Sequence, residues 1–314
     1  MDPQLAAEID NIQVTLNAGG MNTINIVLAF VMYGVALGIK PRMFVEVFTK
    51  PKSVILGACC QLILLPLVTF LLTLCLGRWI SPTMALGMIL VASCPGGNIS
   101  NFISSLSKAN VELSVSLTAV STSLAVLMTP FNFAFYGNLF LKLSPIASGL
   151  PSISIPLTDV LKTIFILLGV PLVLGILTSQ YLPKVAEALK KPFQYLSIAF
   201  FLGMVIISFW GNRDAFMQCI QYIFFVVLLH NLAALLTGFS VGTIFKLPNA
   251  DRRTLTVETG IQNSGLGLVL LLGTGIFKDF PPHGGMLVIA AWWGVWHIVS
   301  GLTVAAIFNH SKKI

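Results

Sequence analysis

Charge is scarce in this chain: Asp, Glu, Lys and Arg make up 9% of its 314 residues, against about a quarter in an ordinary soluble domain. That excludes a water-soluble fold, because too little polar surface remains to cover a core. Cysteine is sparse as well. Cys59, Cys60, Cys75, Cys94 and Cys219 lie in or beside apolar runs, with no CxxC pair and no His at ligand spacing, so they read as packing thiols. Basic residues are missing from the first 20 positions, which hold Asp2, Glu8 and Asp10. This excludes the basic n-region of a signal peptide, and residues 1–21 read as a polar leader. What is abundant is apolar: 56% of residues are hydrophobic and the mean hydropathy is +0.91. The bilayer is the solvent.

A helix needs about 20 mainly apolar residues to cross the hydrocarbon layer. Nine such segments stand between clusters of charge, Gly and Pro: 22–39, 53–76, 83–106, 111–136, 157–178, 193–210, 219–244, 254–276 and 285–308. The runs are continuous rather than alternating, so the expected fold class is an all-α polytopic membrane protein and not a barrel.

An odd number of spans puts the termini on opposite sides. Alternate connections carry Lys40, Arg42, Lys50 and Lys52, then Lys108, then Lys184, Lys190 and Lys191, then Lys246, Arg252 and Arg253, with Lys312 and Lys313 on the tail at 309–314. The other side has Arg78, Lys142, Lys162, Arg213 and Lys278. The positive-inside rule then expects the N-terminus outside and the C-terminus in the cytoplasm of a cell (inner or plasma) membrane. The net charge of +7 follows from topology, and no nucleic-acid partner is called for.

Two segments are interrupted. Segment 3 contains Ser93-Cys94-Pro95-Gly96-Gly97-Asn98-Ile99-Ser100-Asn101, where a residue without an N–H precedes two glycines. Segment 8 contains Glu258-Thr259-Gly260-Ile261-Gln262-Asn263-Ser264-Gly265-Leu266-Gly267, placing an acid and two amides at mid-depth. Such groups face a protein interior, where unwound backbone lines a cavity. On the expected topology the two broken segments run antiparallel, which is an inverted-repeat signature.

At a mid-membrane break, freed carbonyls suit a cation and freed N–H groups suit an anion. Glu258 is the acid at mid-depth, the others falling in the leader, in connections or at segment ends. It reads first as a cation ligand, with a proton carrier and a structural hydrogen bond as alternatives. Ser114 and Thr118 share a helical face and either join that cation or bond the backbone one turn back. His230 and His297 read as internal hydrogen-bonding groups.

At these residues the chain resembles the bile acid:sodium symporter family. The run Cys94-Pro95-Gly96-Gly97-Asn98-Ile99-Ser100-Asn101 is similar to its CPGG or SPGGN-x-SN signature, and Glu258-Thr259-Gly260-Ile261-Gln262-Asn263 to its E-x-G-x-Q-N signature. The resemblance implies two intertwined inverted repeats. A panel would comprise 22–39, 157–178 and 193–210; a core would comprise 53–136 and 219–308, with segments 3 and 8 crossing. It implies a first sodium site of Ser100, Asn101, Ser114, Thr118 and Glu258. A second would use Gln61, Glu258 and Gln262 with the carbonyls of Thr259 and Ile261. Asn98 and Asn263 would contact an anionic substrate. Many bacterial members have ten spans; this chain lacks the first, so one repeat is a helix short, as in the animal members.

The expected function is sodium-coupled symport of an organic anion, bile acid-like or a small carboxylate, by alternating access, with two sodium ions per substrate and no other cofactor. A proton-coupled carrier in which Glu258 titrates is the alternative. An intramembrane hydrolase with Ser264 as nucleophile and His297 as base is a remoter one, because no third orienting acid accompanies the pair.

Overall fold

The computed structural model describes residues 3–12, 18–39, 51–97, 99–147, 157–210, 213–273 and 283–310. Among these, every regular element is helical, and strand-like pairing is confined to an isolated bridge between Gly96 and Gln262. The leader carries α1 (Pro3–Asp10), followed by α2 (Ala18–Ala36). Next come α3 (Pro51–Cys59), a π turn (Cys60–Leu64) and α4 (Leu65–Leu76), and then the short α5 (Pro82–Ser93) and α6 (Ile99–Leu106). Beyond these lie α7 (Val111–Leu143), α8 (Leu157–Ile164), a second π turn (Phe165–Gly169), α9 (Val170–Tyr181) and α10 (Pro183–Trp210). The chain continues through α11 (Arg213–Ile244), α12 (Asn249–Gly260), α13 (Ser264–Gly273) and α14 (Gly284–His310).

Four stretches among the described residues are long and apolar enough to cross a membrane: Pro51–Trp79, Val111–Leu143, Ile220–Ile244 and Gly284–His310. Their outer faces carry exposed Leu67, Leu71, Phe131, Phe135, Phe225 and Leu232, an apolar surface that suits lipid and not water. The chain is a helical integral membrane protein.

The expected segments differ from the helices mainly at their ends. α7 runs to Leu143 rather than 136, and α10 begins at Pro183, ten residues before the expected 193. The leader contains a helix, with Ile9 on it and Ile12 just beyond it buried. Asp10 there accepts hydrogen bonds from the hydroxyls of Ser81 and Thr83 at the start of α5. Burial raises its carboxyl above the usual range, against the pull of those two hydroxyls.

Both π turns precede a proline, Pro66 and Pro171. Proline offers no N–H and its ring crowds the carbonyl one turn back, so the helix widens there rather than stopping. Asn132 of α7 fills the resulting gap in α3–α4, donating Nδ2 to the Leu62 carbonyl at 2.7 Å.

Segment 3 breaks where Pro95 and the two glycines predict. α5 ends at Ser93, and Cys94 is extended, with ψ 155°. Segment 8 breaks over 261–263, after Gly260, while Gly265 and Gly267 lie inside α13. Two helices of 12 residues, α5 and α12, reach only about 18 Å each, so neither crosses a bilayer without its second half. The breaks meet: Gly97 N–H donates to the Ile261 carbonyl at 2.9 Å and Asn263 N–H to the Pro95 carbonyl at 2.8 Å. This antiparallel pair satisfies backbone groups that the breaks release. α5 is buried along nearly its whole length, as expected of a helix that is apolar all round. α12 is also almost wholly buried although polar, and that conflict marks the site. Around these, α11 packs on α12, α5 on α14, and α2 on α9 and α10.

Candidate functional site

Glu258 lies on α12, near the crossing, and is completely buried. Four side chains from three other helical stretches converge on it. Ser100 Oγ of α6 donates to Oε1 at 2.6 Å, and Ser114 Oγ of α7 donates to the same oxygen. Thr118 Oγ1 lies 3.3 Å from Oε1 and 3.2 Å from Oε2. Gln61 Nε2, in the π turn, donates to Oε2 at 3.1 Å. Asn101 closes the group, its Oδ1 lying 2.9 Å from Ser114 Oγ and 3.3 Å from Thr118 Oγ1. Thr118 lies also 3.0 Å from the Ser114 carbonyl, so both sequence readings of this hydroxyl have a geometric basis.

None of the partners found for this carboxylate is a cation. A buried ionised carboxylate is costly unless paired or strongly hydrogen-bonded, and neutral hydroxyls compensate it only in part. Gln61, which reaches the carboxylate through Nε2, keeps its Oε1 buried without a hydrogen-bond partner, and so does Gln262 at the break. Hydroxyl and amide oxygens keep lone pairs that a bound cation can take, and hard cations choose oxygen ligands. The donor set fits a small hard cation. Gly96 packs directly against this donor set: an added Cβ would lie 3.0 Å from Glu258 Oε2 and 3.3 Å from the side-chain amide of Gln61.

The structure therefore brings Gln61, Ser100, Asn101, Ser114, Thr118 and Glu258 into one cluster. The carbonyls of the second set are near the crossing and partly engaged: Thr259 O accepts from Gln262 Nε2 at 2.9 Å and Ile261 O from Gly97 N–H. Asn263 caps α13, its Oδ1 accepting from Leu266 N–H at 3.1 Å, and is partly exposed. Asn98 lies outside the described residues. His230 is buried, 2.8 Å from Thr69 Oγ1, an internal hydrogen bond as its position suggests. Ser264 Oγ has no partner, so the serine and histidine of the hydrolase reading do not form a hydrogen-bonded pair. Two further asparagines brace the site. Asn231, donating to the Gly260 carbonyl at 2.7 Å, ties α11 to the end of α12; its place beside His230 in segment 7 was the only signal. Asn132, which holds the π turn around Gln61, had Pro66 as its signal.

Comparison with known proteins identifies the family. Residues 25–219 match the model of the Sodium Bile acid symporter family. Over 291 residues, 93% of this chain and 84% of the other, the chain is 32% identical to the uncharacterized sodium-dependent transporter YocS of Bacillus subtilis. It is 30% identical over 222 residues to the human P3 protein, covering 71% of this chain and 44% of that one. With sodium/bile acid cotransporter 5 of Rattus norvegicus it shares 28% over 249 residues, 78% of this chain and 55% of the relative. The chain thus spans about half the length of these mammalian relatives. The match is to transporters and not to enzymes, and the chain belongs to the sodium bile acid symporter family.

Proposed function

We propose that this protein is a sodium-coupled symporter that takes up an organic anion by alternating access. The observation that carries the proposal is a fully buried carboxylate, Glu258, met by neutral groups of Gln61, Ser100, Ser114 and Thr118, with Gln61 Oε1 beside it lacking a hydrogen-bond partner. In this reading the first sodium ion sits among Ser100, Asn101, Ser114, Thr118 and Glu258. The second takes Gln61, Glu258 and Gln262 with the carbonyls of Thr259 and Ile261. Both use Glu258, so occupancy of one favours the other by holding the shared carboxylate ionised and in place. Thr259 and Ile261 flank the break after α12, and ion binding there stiffens the crossing at which Asn98 and Asn263 meet the anion.

The architecture proposed with this mechanism has nine spans in two inverted repeats. The panel is 22–39, 157–178 and 193–210, and the core is 53–136 and 219–308. The packing of α2 against α9 and α10 and the antiparallel pairing of the two breaks support it. Orientation follows the basic connections: leader outside, tail 309–314 in the cytoplasm, with lipid around panel and core. The energetics suffice. A tenfold sodium gradient is worth ~1.4 kcal/mol per ion, and one net positive charge crossing 100 mV adds ~2.3 kcal/mol. Two ions with a monovalent anion supply ~5 kcal/mol, enough for a concentration ratio of a few thousand.

Reconstituted into liposomes, the full chain tests this directly. An imposed sodium gradient drives accumulation, and inward current, for at least one member of a panel of bile acids, steroid sulfates and small keto or hydroxy acids. Glu258→Gln abolishes it. Uptake that persists in sodium-free buffer and follows the pH gradient overturns the coupling ion in favour of protons.

A further inference from the structure

Toward the start of α12 a second acid is buried, and the ion cluster does not include it. Asp251 is 7% exposed and lies about 10 Å along the helix from Glu258 at 1.5 Å per residue. Its Oδ2 accepts from Ser53 Oγ at 2.6 Å and its Oδ1 from Asn110 Nδ2 at 2.8 Å. Those partners belong to the first turn of α3 and to the N-cap of α7. α3 leads to Gln61, α7 to Ser114 and Thr118, and α12 to Glu258. The three helical stretches that contribute these residues therefore start from one carboxylate.

The ties are specific. Asn110 uses both ends of its amide: Oδ1 accepts from Leu113 N–H at 3.1 Å and caps α7, while Nδ2 is held by Asp251. This fixes the rotation of the cap, and with it the face on which Ser114 and Thr118 emerge. The Asn110 backbone is bound a second time to α12, donating to Thr254 Oγ1 at 2.9 Å and lying within 3.0 Å of the same hydroxyl through its carbonyl. Thr254 stands one turn before Glu258. Between this knot and the ion cluster, α3 and α7 are in close contact at Gly57, where a Cβ would lie 2.6 Å from Leu117. Helices locked at one end and packed along the way have little freedom at the other. A change of an ångström at the knot is passed to the oxygens around Glu258.

We infer that Asp251 is a positioning residue for the ion cluster: its carboxylate sets the spacing of α3, α7 and α12, and so the distances among Gln61, Ser114, Thr118 and Glu258. The inference rests on the sodium reading of that cluster. Groups one shell out from a metal ligand commonly change its affinity by ten- to a hundredfold, and Asp251 acts at the longer range because rigid helices carry the displacement.

The test is thermal unfolding of the purified full chain in mixtures of NaCl and KCl at constant ionic strength, for wild type, Asp251→Asn, Ser53→Ala and Glu258→Gln. Asparagine keeps the size of Asp251 but removes its charge and one acceptor oxygen, so the Ser53 hydroxyl must turn from donor to acceptor and both ties lose their charge assistance. Ser53→Ala frees α3 alone and removes a single hydroxyl, which keeps the test open should Asp251→Asn not fold. The expected result is a rise of about tenfold or more in the sodium concentration of half effect for Asp251→Asn, and a smaller rise for Ser53→Ala. If both variants unfold earlier in KCl and NaCl alike while the half-effect concentration stays at the wild-type value, Asp251 is a structural residue only and the inference falls. If wild type does not respond to sodium, or Glu258→Gln responds as wild type does, the sodium reading itself falls.

Discussion

Replacing Gly96 by alanine tests the ion cluster without deleting a ligand. The added methyl lies 3.0 Å from Glu258 Oε2 and 3.3 Å from both heteroatoms of the Gln61 amide. Both distances are inside ordinary van der Waals contact, so carboxylate and amide have to retreat by several tenths of an ångström. An ion held by oxygens at fixed distance loses its best geometry when two of them withdraw. The backbone accepts the change: among the described glycines only Gly77 has a positive φ, and the Gly97 and Asn263 N–H bonds that close the crossing are untouched. If sodium at a hundred times its Kd stabilises wild type by about 2.7 kcal/mol, a tenfold weaker site retains about 1.4 kcal/mol and a hundredfold weaker one about 0.4 kcal/mol. The assay is the difference in unfolding temperature between NaCl and KCl. The expected result is a sodium shift cut to half or less, with the unfolding temperature in KCl close to wild type. A Gly96→Ala protein with the full sodium shift refutes the placement of the ion beside Glu258 Oε2 and Gln61.

Removing the amide of Asn132 leaves the buried Leu62 carbonyl without a donor, since Pro66 has none to give; Asn132→Ala is expected to cost ~1–3 kcal/mol of stability and to weaken sodium binding through Gln61, read from the same salt comparison. Asp10 provides a pH test. Because burial raises its carboxyl in the folded chain, its contribution to stability is fully present below the ordinary carboxyl value and is lost as pH rises through the raised one. Asp10→Asn, whose amide oxygen can still accept from Ser81 and Thr83, is therefore expected to unfold later than wild type at neutral pH, with the difference closing in acid; a difference independent of pH contradicts the burial argument. In liposomes, Gln61→Ala is expected to reduce sodium-driven current and the steepness of its sodium dependence, and an unchanged steepness removes Gln61 from the ion set.

The sequence alone determined the solvent, the helical class and the two places where helices must break. Hydropathy is a local property summed over about 20 residues, and Pro95 with Gly96 and Gly97 acts on its own backbone. It also marked Glu258, because an acid between apolar runs is visible without a fold. Helix ends were less legible: α10 continues back through Lys190 and Lys191 to Pro183, since helices extend past the membrane wherever their polar residues can be solvated. Only the tertiary structure decided which oxygens meet. Gln61, Ser114 and Thr118 reach Glu258 across separations of 197, 144 and 140 residues, and no local pattern encodes such a distance. The same holds for Asn132 on the Leu62 carbonyl, and for Asp251 between Ser53 and Asn110. In sequence Asp251 is an unremarked acid at the start of a helix; packing buries it, and a buried carboxylate is stable only where donors from other helices come to meet it.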